Sequence, residues 1–240
     1  MAETAAPALG GRRAEDGTFG PPRAGLRGCL LEVVAAIEVF ADVCCPFTHV
    51  GLRRIVEERD RRGVQVPLWV RAWPLEVVNG HQLDPLAVTQ KVEVLRARVA
   101  PELFTGFDPS RFPATSLPAM ALTAGAYAIG PELGERVALA VRWALFEEKR
   151  NIAERDVLRD IALREGVALP DDGAQDQVLQ DHRVGQARGV QGSPHFFVGD
   201  AGYFCPTLEI THTEGRLDIR FDPANFDSFM TAAFAASEAA

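Results

Sequence analysis

The spacing of hydrophobic and polar positions changes twice in the first third of the chain. The stretch Leu31–Val43 ("LEVVAAIEVFADV") is almost continuously apolar and rich in β-branched residues, which predicts a strand buried on both faces. In His49–Gly63 the apolar residues fall on one helical stripe, arginines and acids occupy the other positions, and a glycine ends the segment. This pattern predicts an amphipathic helix. Strand composition returns in Val64–Val77, so the order indicates a βαβ unit with two parallel strands.

A long helical region follows, and strands return near the end of the chain. Asp84 is placed to cap a helix that Pro85 begins, and Ala- and Leu-rich segments continue beyond it. From residue 185 onward, strand-like segments separated by turn residues predict a hairpin, and Asp222 with Pro223 marks the start of a final helix. The element order predicts an α/β protein with a thioredoxin-like fold (βαβ…ββα) and an all-helical insertion. The predicted regions are a disordered tail at 1–30, the two parts of the thioredoxin-like domain at 31–83 and 185–240, and the insertion at 84–184.

Composition and charge narrow the class of protein. The chain has 240 residues, 47% of them hydrophobic and 24% charged, as is usual for a globular domain. The net charge of −8 argues against nucleic acid as a partner, because a nucleic-acid binder needs a basic field. No run of 18 apolar residues is present, and the first 28 residues lack the apolar core of an export signal. We therefore expect a cytoplasmic protein without a membrane segment.

The four cysteines are Cys29, Cys44, Cys45 and Cys205, too few and too irregularly spaced for a disulfide scaffold. Cys45 stands out because the residue after it is Pro46, and proline is favoured at the first position of a helix. Cys45 then becomes the N-cap, and its sulfur is expected to face the free N–H groups and the positive end of the helix dipole. Both favour the thiolate, which is the nucleophile in disulfide exchange. The alternative is a cysteine that is buried and only packs.

The residues around Cys45 refine this hypothesis. Thr48 lies three positions on, on the same helical face, where a dithiol motif has its second cysteine. Threonine cannot form a disulfide, but its hydroxyl can donate to the thiolate; the alternative is a helix-surface residue without a catalytic part. An adduct on Cys45 must then be resolved by an outside thiol or by another cysteine. Cys44 is expected to pack in the core, because a disulfide between adjacent residues is strained. Among the other cysteines, Cys205 is the better candidate to resolve an adduct on Cys45.

Two histidines also have interpretations without a catalytic role. His49 is four residues after Cys45 and could lie near the thiolate or share a metal with it. A second pair of ligands is missing from the sequence pattern, so we predict no metal site. His195 follows Pro194 and is expected to be an outward-facing strand residue.

Two segments resemble a known family. "DVCCPFTHVGLRR" is similar to the Asp-x-x-Cys-Pro-Trp-Cys-Tyr-x-Gly stretch of DsbA-family thioredoxin-fold proteins, particularly the FrnE-like branch. "GVQGSPHFFVG" is similar to the Gly-Val-x-Gly-Val-Pro-Thr-Phe segment that supplies that family's cis-proline loop. The helices around "ALFEEKRNIAERDVLRDIALREGV" resemble the family's inserted domain. The resemblance extends from about residue 36 to residue 200.

The resemblance assigns roles to single residues. Cys45 matches the attacking cysteine, and Pro46 and Phe47 match the two residues between the family's cysteines. Thr48 departs from the resolving cysteine, so the resemblance does not imply a self-contained dithiol oxidase. Pro194 matches the cis-proline that faces the nucleophile, with serine before it in place of valine.

The resemblance also leaves a second activity open. The related kappa-class glutathione transferases and 2-hydroxychromene-2-carboxylate isomerases have serine at the nucleophile position and bind a small thiol. Because Cys45 is present, we place the chain nearer the thiol–disulfide oxidoreductases. The alternatives are a thiol-binding transferase or isomerase and a non-catalytic binding protein of the same fold.

The expected function is thiol–disulfide exchange through one cysteine, with an external thiol such as glutathione completing turnover. No tightly bound cofactor is expected, the partners are protein or small-molecule disulfides and thiols, and a homodimer is implied by the resemblance. The residues expected to act in catalysis are Cys45, Thr48 and Pro194, and those expected to contact the substrate or thiol are Pro46, Phe47, His49 and Ser193.

Overall fold

The structure is a computed structural model that describes residues 37–170, 173–213 and 216–238. The predicted tail at 1–30, Cys29 and the first residues of the first predicted strand lie outside the described residues. Within those that are described, no helix is long and apolar enough to cross a membrane.

A four-stranded sheet forms the centre of the fold. Its strands are β1 (Ile37–Ala41), β2 (Leu68–Ala72), β3 (His195–Val198) and β4 (Ala201–Phe204), in the order β2-β1-β3-β4. β1 and β2 are parallel, and β3 is antiparallel to both β1 and β4. The predicted parallel pair and the thioredoxin-like α/β fold are therefore confirmed.

Helix α1 (Pro46–Arg62) connects the two parallel strands. It begins at a proline, as predicted, and Cys45 is its N-cap with extended backbone angles. Gly63 ends it in the left-handed conformation (φ 65°), which glycine adopts without a steric penalty. Both ends of α1 are thus determined by residues next to them in sequence.

A helical block lies between β2 and β3. The second predicted strand ends at Ala72, earlier than expected, because Pro74 lacks the N–H that a sheet ladder needs and instead serves as the N-cap of a short helix. Asp84 accepts a hydrogen bond from the N–H of Leu86, which confirms the predicted cap. The predicted domain boundaries stay a prediction. The helices are α2 (Leu75–Asn79), α3 (Pro85–Arg98), α4 (Leu117–Ile129), α5 (Pro131–Phe146), α6 (Arg155–Glu165) and α7 (Ala174–Ala187), with a 3₁₀ turn at Pro109–Arg111.

Side chains of the helical block cover the outer edge of β2. The hydroxyl of Tyr127 on α4 accepts a hydrogen bond from the N–H of Val70 (2.9 Å) and donates one to the carbonyl of Leu68 (2.8 Å). The carboxylate of Asp181 on α7 accepts from the N–H of Ala72 (3.1 Å). Three backbone groups along this edge of the strand are therefore satisfied by side chains.

The hairpin predicted after residue 185 is present as β3 and β4, and the chain turns away from it after β4. Cys205 has a positive φ (47°) and its carbonyl accepts from the N–H of Leu208, so the backbone turns here. Two further strands, β5 (Leu208–Thr213) and β6 (Arg216–Phe221), then pair in a separate sheet. Helix α8 (Pro223–Glu238) follows, and the carboxylate of Asp222 accepts from the N–H of Asn225, as predicted for its cap.

Two large apolar clusters hold these layers together. One packs a single face of the sheet against both α1 and α8, with Leu52 and Phe229 fully buried in it. The other fills the helical block and reaches Val43 and Cys44. The residues that follow β1 therefore lie where the sheet meets the helical block, and Cys45 is the next residue.

Candidate active site

Cys45 faces the backbone of the loop before β3. Its thiol is 4% exposed, and Sγ donates to the carbonyl oxygen of Ser193 at 3.1 Å. The expected contact between the sulfur and the N–H groups of the first turn is absent, because the side chain makes no capping hydrogen bond. A carbonyl oxygen can only accept a hydrogen bond, so this contact uses the protonated thiol. Nucleophilic attack therefore requires this contact to be given up.

The loop residue Ser193 ties the site together. Its peptide bond to Pro194 is cis, as the resemblance implies. Its hydroxyl accepts from the N–H of Asp42 (2.8 Å) and pairs with the hydroxyl of Thr48 (3.0 Å). Thr48 is fully buried, so it is not a helix-surface residue, and its hydroxyl contacts serine in place of the expected Cys45 sulfur. The physical reason is the serine before the cis-proline, which presents a second hydroxyl within hydrogen-bond distance.

Asp42 is a site residue that the sequence reasoning missed. It is buried directly after β1, and its two carboxylate oxygens accept from the N–H groups of Cys44 and Leu75, each at 2.7 Å. Burial raises the pKa of Asp42 to about 6, although both of these hydrogen bonds lower it. The available signal was an acid at the end of a buried strand, three residues before the nucleophile.

His49 does not join the Cys45 sulfur. Its Nε2 lies 2.9 Å from Oε1 of Glu147, and its ring packs between Phe104 and Phe146. Burial lowers the pKa of His49, so the ring is neutral at neutral pH. The described residues contain no group of three or more His, Cys, Asp or Glu side chains arranged for a metal ion.

Glu147 gathers several donors at the end of α5. Besides His49, its carboxylate accepts from the N–H of Phe104 (2.6 Å) and from the N–H and hydroxyl of Thr105 (2.8 and 2.9 Å). Burial alone would raise the pKa of Glu147. The hydrogen bonds together outweigh burial, with the bond from His49 contributing most among them, so the pKa of Glu147 is lowered. The pair of His49 and Glu147 therefore anchors α1 to the helical block.

The other two described cysteines are buried free thiols. Cys44 packs in the apolar cluster of the helical block, as predicted, and burial raises its pKa well above the ordinary value. Cys205 lies close to the site, since its N–H donates to the carbonyl of Pro194 at 3.1 Å. Burial, followed by the proximity of Cys45, raises the pKa of Cys205 to about 12. Both thiols are protonated at neutral pH, which makes them poor nucleophiles.

Two aromatic residues near the site differ in exposure. Phe47 is half-buried on α1, with the ammonium of Lys91 5.8 Å from its ring centre, and Pro46 before it is buried. Phe204 is 49% exposed, and its ring lies against Gly192.

His195 is buried, so its predicted outward orientation is wrong. It belongs to an internal strand and stacks on Phe197 with ring centres 4.8 Å apart. The backbone of the preceding loop folds over it, and Nδ1 accepts from the N–H of Gln191. This residue therefore supports the loop and does not face a partner.

The structure brings Cys45, Thr48, Ser193 and Pro194 together and places His49 apart from them. A model of the DSBA-like thioredoxin domain family matches residues 36–218. No curated protein matches the chain in sequence.

Two solved structures share the fold. A candidate protein disulfide isomerase from Nitrosomonas europaea is 14% identical, with a TM-score of 0.55 over 85% of this chain and 96% of that one. A 2-hydroxychromene-2-carboxylate isomerase is 16% identical, with a TM-score of 0.51 over 70% of this chain and 88% of that one. At these identities the similarity concerns the fold alone.

Proposed function

This chain belongs to the DSBA-like thioredoxin domain family, and on that premise we propose that it is a thiol–disulfide oxidoreductase that reacts through Cys45 alone. The observation that carries the proposal is the placement of the Cys45 sulfur 3.1 Å from the backbone of the cis-proline loop at the start of α1. Thr48 supplies a hydroxyl where a dithiol motif has its second sulfur. The geometry therefore suits a site with one reactive thiol.

The reaction proceeds in two exchanges. The Cys45 thiolate attacks one sulfur of a disulfide; a new S–S bond forms to Cys45, the original S–S bond breaks, and the second sulfur leaves as a thiolate that takes up a proton. An external thiolate then attacks the mixed disulfide, takes over the substrate sulfur and releases the Cys45 thiolate. Cys205 is close by but protonated, and Cys44 points into the core, so the second exchange depends on the external thiol.

Substrate binding and activation of Cys45 share one backbone group. We propose that a partner lies beside Pro194 as an extra strand and donates an N–H to the carbonyl of Ser193. This carbonyl is the acceptor of the Cys45 thiol in the free protein, so the partner's N–H competes with the thiol for it. Binding then frees the sulfur for attack at the moment when a disulfide is next to it. Thr48 acts as a positioning residue that holds Ser193 through its hydroxyl.

The proposed partners are protein or small-molecule disulfides and thiols, in the cytoplasm. The exposed ring of Phe204 offers an apolar contact beside the loop, and Phe47 is half-buried two positions after Cys45. Glutathione or another low-molecular-weight thiol is proposed as the external reductant, bound only during turnover. A homodimer is proposed on the same family basis.

The experiment is thiol-adduct mapping followed by a reduction assay. Incubation with oxidised glutathione should give one mixed disulfide on Cys45, detected by intact mass and peptide mapping, and added glutathione should remove it. Cys45→Ser should abolish reduction of a glutathionylated peptide, whereas Cys205→Ser should retain it.

Three results would contradict the proposal. If the Cys45→Ser variant still reduces the glutathionylated peptide fully, Cys45 is not the nucleophile. If the Cys45→Ser variant keeps activity on an electrophile, the protein is a thiol-binding transferase or isomerase instead. A folded protein that forms no adduct on Cys45 at any thiol concentration indicates a non-catalytic binding protein.

A further inference from the structure

A cavity of about 360 Å³ lies between α1, α5 and α6, and Cys45 is not among the residues that line it. This volume is at the lower end of the range found for small-molecule sites. One wall is apolar, formed by Leu52, Leu139, Ala140 and the ring of Trp143. The remaining lining residues are polar or charged, so the cavity combines an apolar surface with hydrogen-bonding groups.

Two buried guanidinium donors of this cavity have no acceptor. Arg53 and Arg142 both line it, and in the part of the chain that the structure describes, the Nε atom of each is buried without a hydrogen-bond partner. Arg142 is 2% exposed and forms one hydrogen bond, from Nη1 to the carbonyl of Ala138 at 2.7 Å. Buried donors normally have partners, so two unpaired donors around one cavity indicate that an acceptor belongs there.

The charges of the lining residues select the kind of acceptor. Three arginines, with Arg164 the third, face two glutamates, Glu148 and Glu165, and the neutral His49 adds nothing. The lining residues therefore carry a net formal charge of +1. Arg53 pairs with Glu57 and Arg164 with Glu148, whereas Arg142 forms no salt bridge among the described residues. A monoanion balances this charge, and a doubly charged phosphate would exceed it.

We propose that this cavity binds a small organic monocarboxylate whose carboxylate pairs with Arg142 and Arg53 and whose apolar body lies against Trp143. The guanidinium of Arg53 already lies 5.7 Å from the centre of the Trp143 ring, so the charged and the aromatic contact are next to each other. Guanidinium groups bind carboxylates through paired N–H donors, which fixes the orientation of the ligand. Cys45 does not line this cavity, and the proposal does not depend on the redox function proposed above.

The test uses the full chain and three probes, namely phenylacetate, hexanoate and indole-3-acetate. Calorimetry should show saturable one-to-one binding of at least one of them, and the indole N–H signal of Trp143 should shift in nitrogen-15 NMR spectra while that of the buried Trp73 stays in place. The uncharged phenylacetamide should bind at least about tenfold more weakly than phenylacetate, because it lacks the charge-assisted bonds.

Two arginine variants distinguish binding in this cavity from nonspecific attraction to positive charge. Arg53→Met should weaken binding about tenfold, and this side chain is partly exposed, so folding is not at risk. Arg111→Met, which removes an exposed arginine that does not line the cavity, should bind as the wild type does. The proposal is overturned if no probe binds saturably, if phenylacetamide matches phenylacetate, or if Arg53→Met binds unchanged.

Discussion

The hydroxyl oxygens of Thr48 and Ser193 lie 3.0 Å apart, and they connect the first turn of α1 to the residue before the cis-proline. The same serine oxygen accepts from the N–H of Asp42, so one hydroxyl holds together the end of β1, the start of α1 and the loop before β3. In a dithiol motif, the second sulfur would occupy the position of Thr48. Here that position carries a hydroxyl, which cannot form a disulfide and pairs with Ser193 instead.

A double-mutant cycle measures this hydroxyl pair. Thr48→Val and Ser193→Ala should each lower the free energy of unfolding by about 1–3 kcal/mol, because each leaves a buried partner unpaired. The double variant should lose about 1 kcal/mol less than the sum, as measured by urea denaturation. Thr123→Val removes another buried threonine hydroxyl, bonded only within its own helix, and serves as the control. Strict additivity would mean that the pair contributes nothing.

A second sulfur at position 48 should change how an adduct on Cys45 is resolved. In Thr48→Cys, the new thiol lies on the same helical face as Cys45, so oxidation should consume both thiols in an internal disulfide. A free-thiol assay before and after oxidation should show the loss of two thiols, and the glutathione adduct on Cys45 should no longer accumulate. The same change made together with Cys45→Ser leaves one thiol of the pair, and oxidation should then form no internal disulfide. A persistent adduct in the single variant would show that the two sulfurs cannot meet.

Asp42 should make stability depend on pH. Burial raises its pKa from 3.8 to about 6, so the folded state keeps a proton that the unfolded chain has already lost. Its contribution to stability is fully present below pH 3.8 and is lost as pH rises through about 6. Asp42→Asn does not titrate, so its free energy of unfolding relative to wild type should increase by roughly 2–3 kcal/mol between pH 4 and pH 7. Denaturant titrations across this range test the prediction, and a difference that does not vary with pH would refute it.

Two neighbouring glutamates should differ in their effect on stability. Glu147→Ala removes the acceptor of His49 Nε2 and of two backbone N–H groups, so it should cost about 3 kcal/mol or more. Glu148→Ala, one residue on, removes only partly exposed ion pairs with Arg150 and Arg164 and should cost less than about 1 kcal/mol. Thermal and urea unfolding of both variants gives the comparison. Equal losses would show that the pair of His49 and Glu147 does not anchor α1.

The features that the sequence predicted correctly depend on neighbouring residues. Pro46 and Gly63 determine both ends of α1, and Asp84 caps α3 through an N–H two residues away. The same local reasoning placed Cys45 at a helix start and Cys44 in the core.

The contacts that decide the chemistry join distant segments, and the sequence pattern did not predict them. The bond from Asp42 to Ser193 spans 151 positions and that from His49 to Glu147 spans 98. The resemblance placed Pro194, with Ser193 before it, opposite Cys45, but it did not indicate that the hydroxyl of Ser193 would pair with that of Thr48. Likewise, His195 is buried because a separate loop folds over it.

The hydrogen bonds from Tyr127 and Asp181 to β2 also determine where the sheet can grow. An exposed edge strand invites pairing with another chain, which is how many β proteins begin to aggregate. On this side the carbonyl of Leu68 and the N–H groups of Val70 and Ala72 already have side-chain partners, so an incoming strand would have to displace α4 and α7. The helical block thus protects the protein from uncontrolled strand addition at this edge.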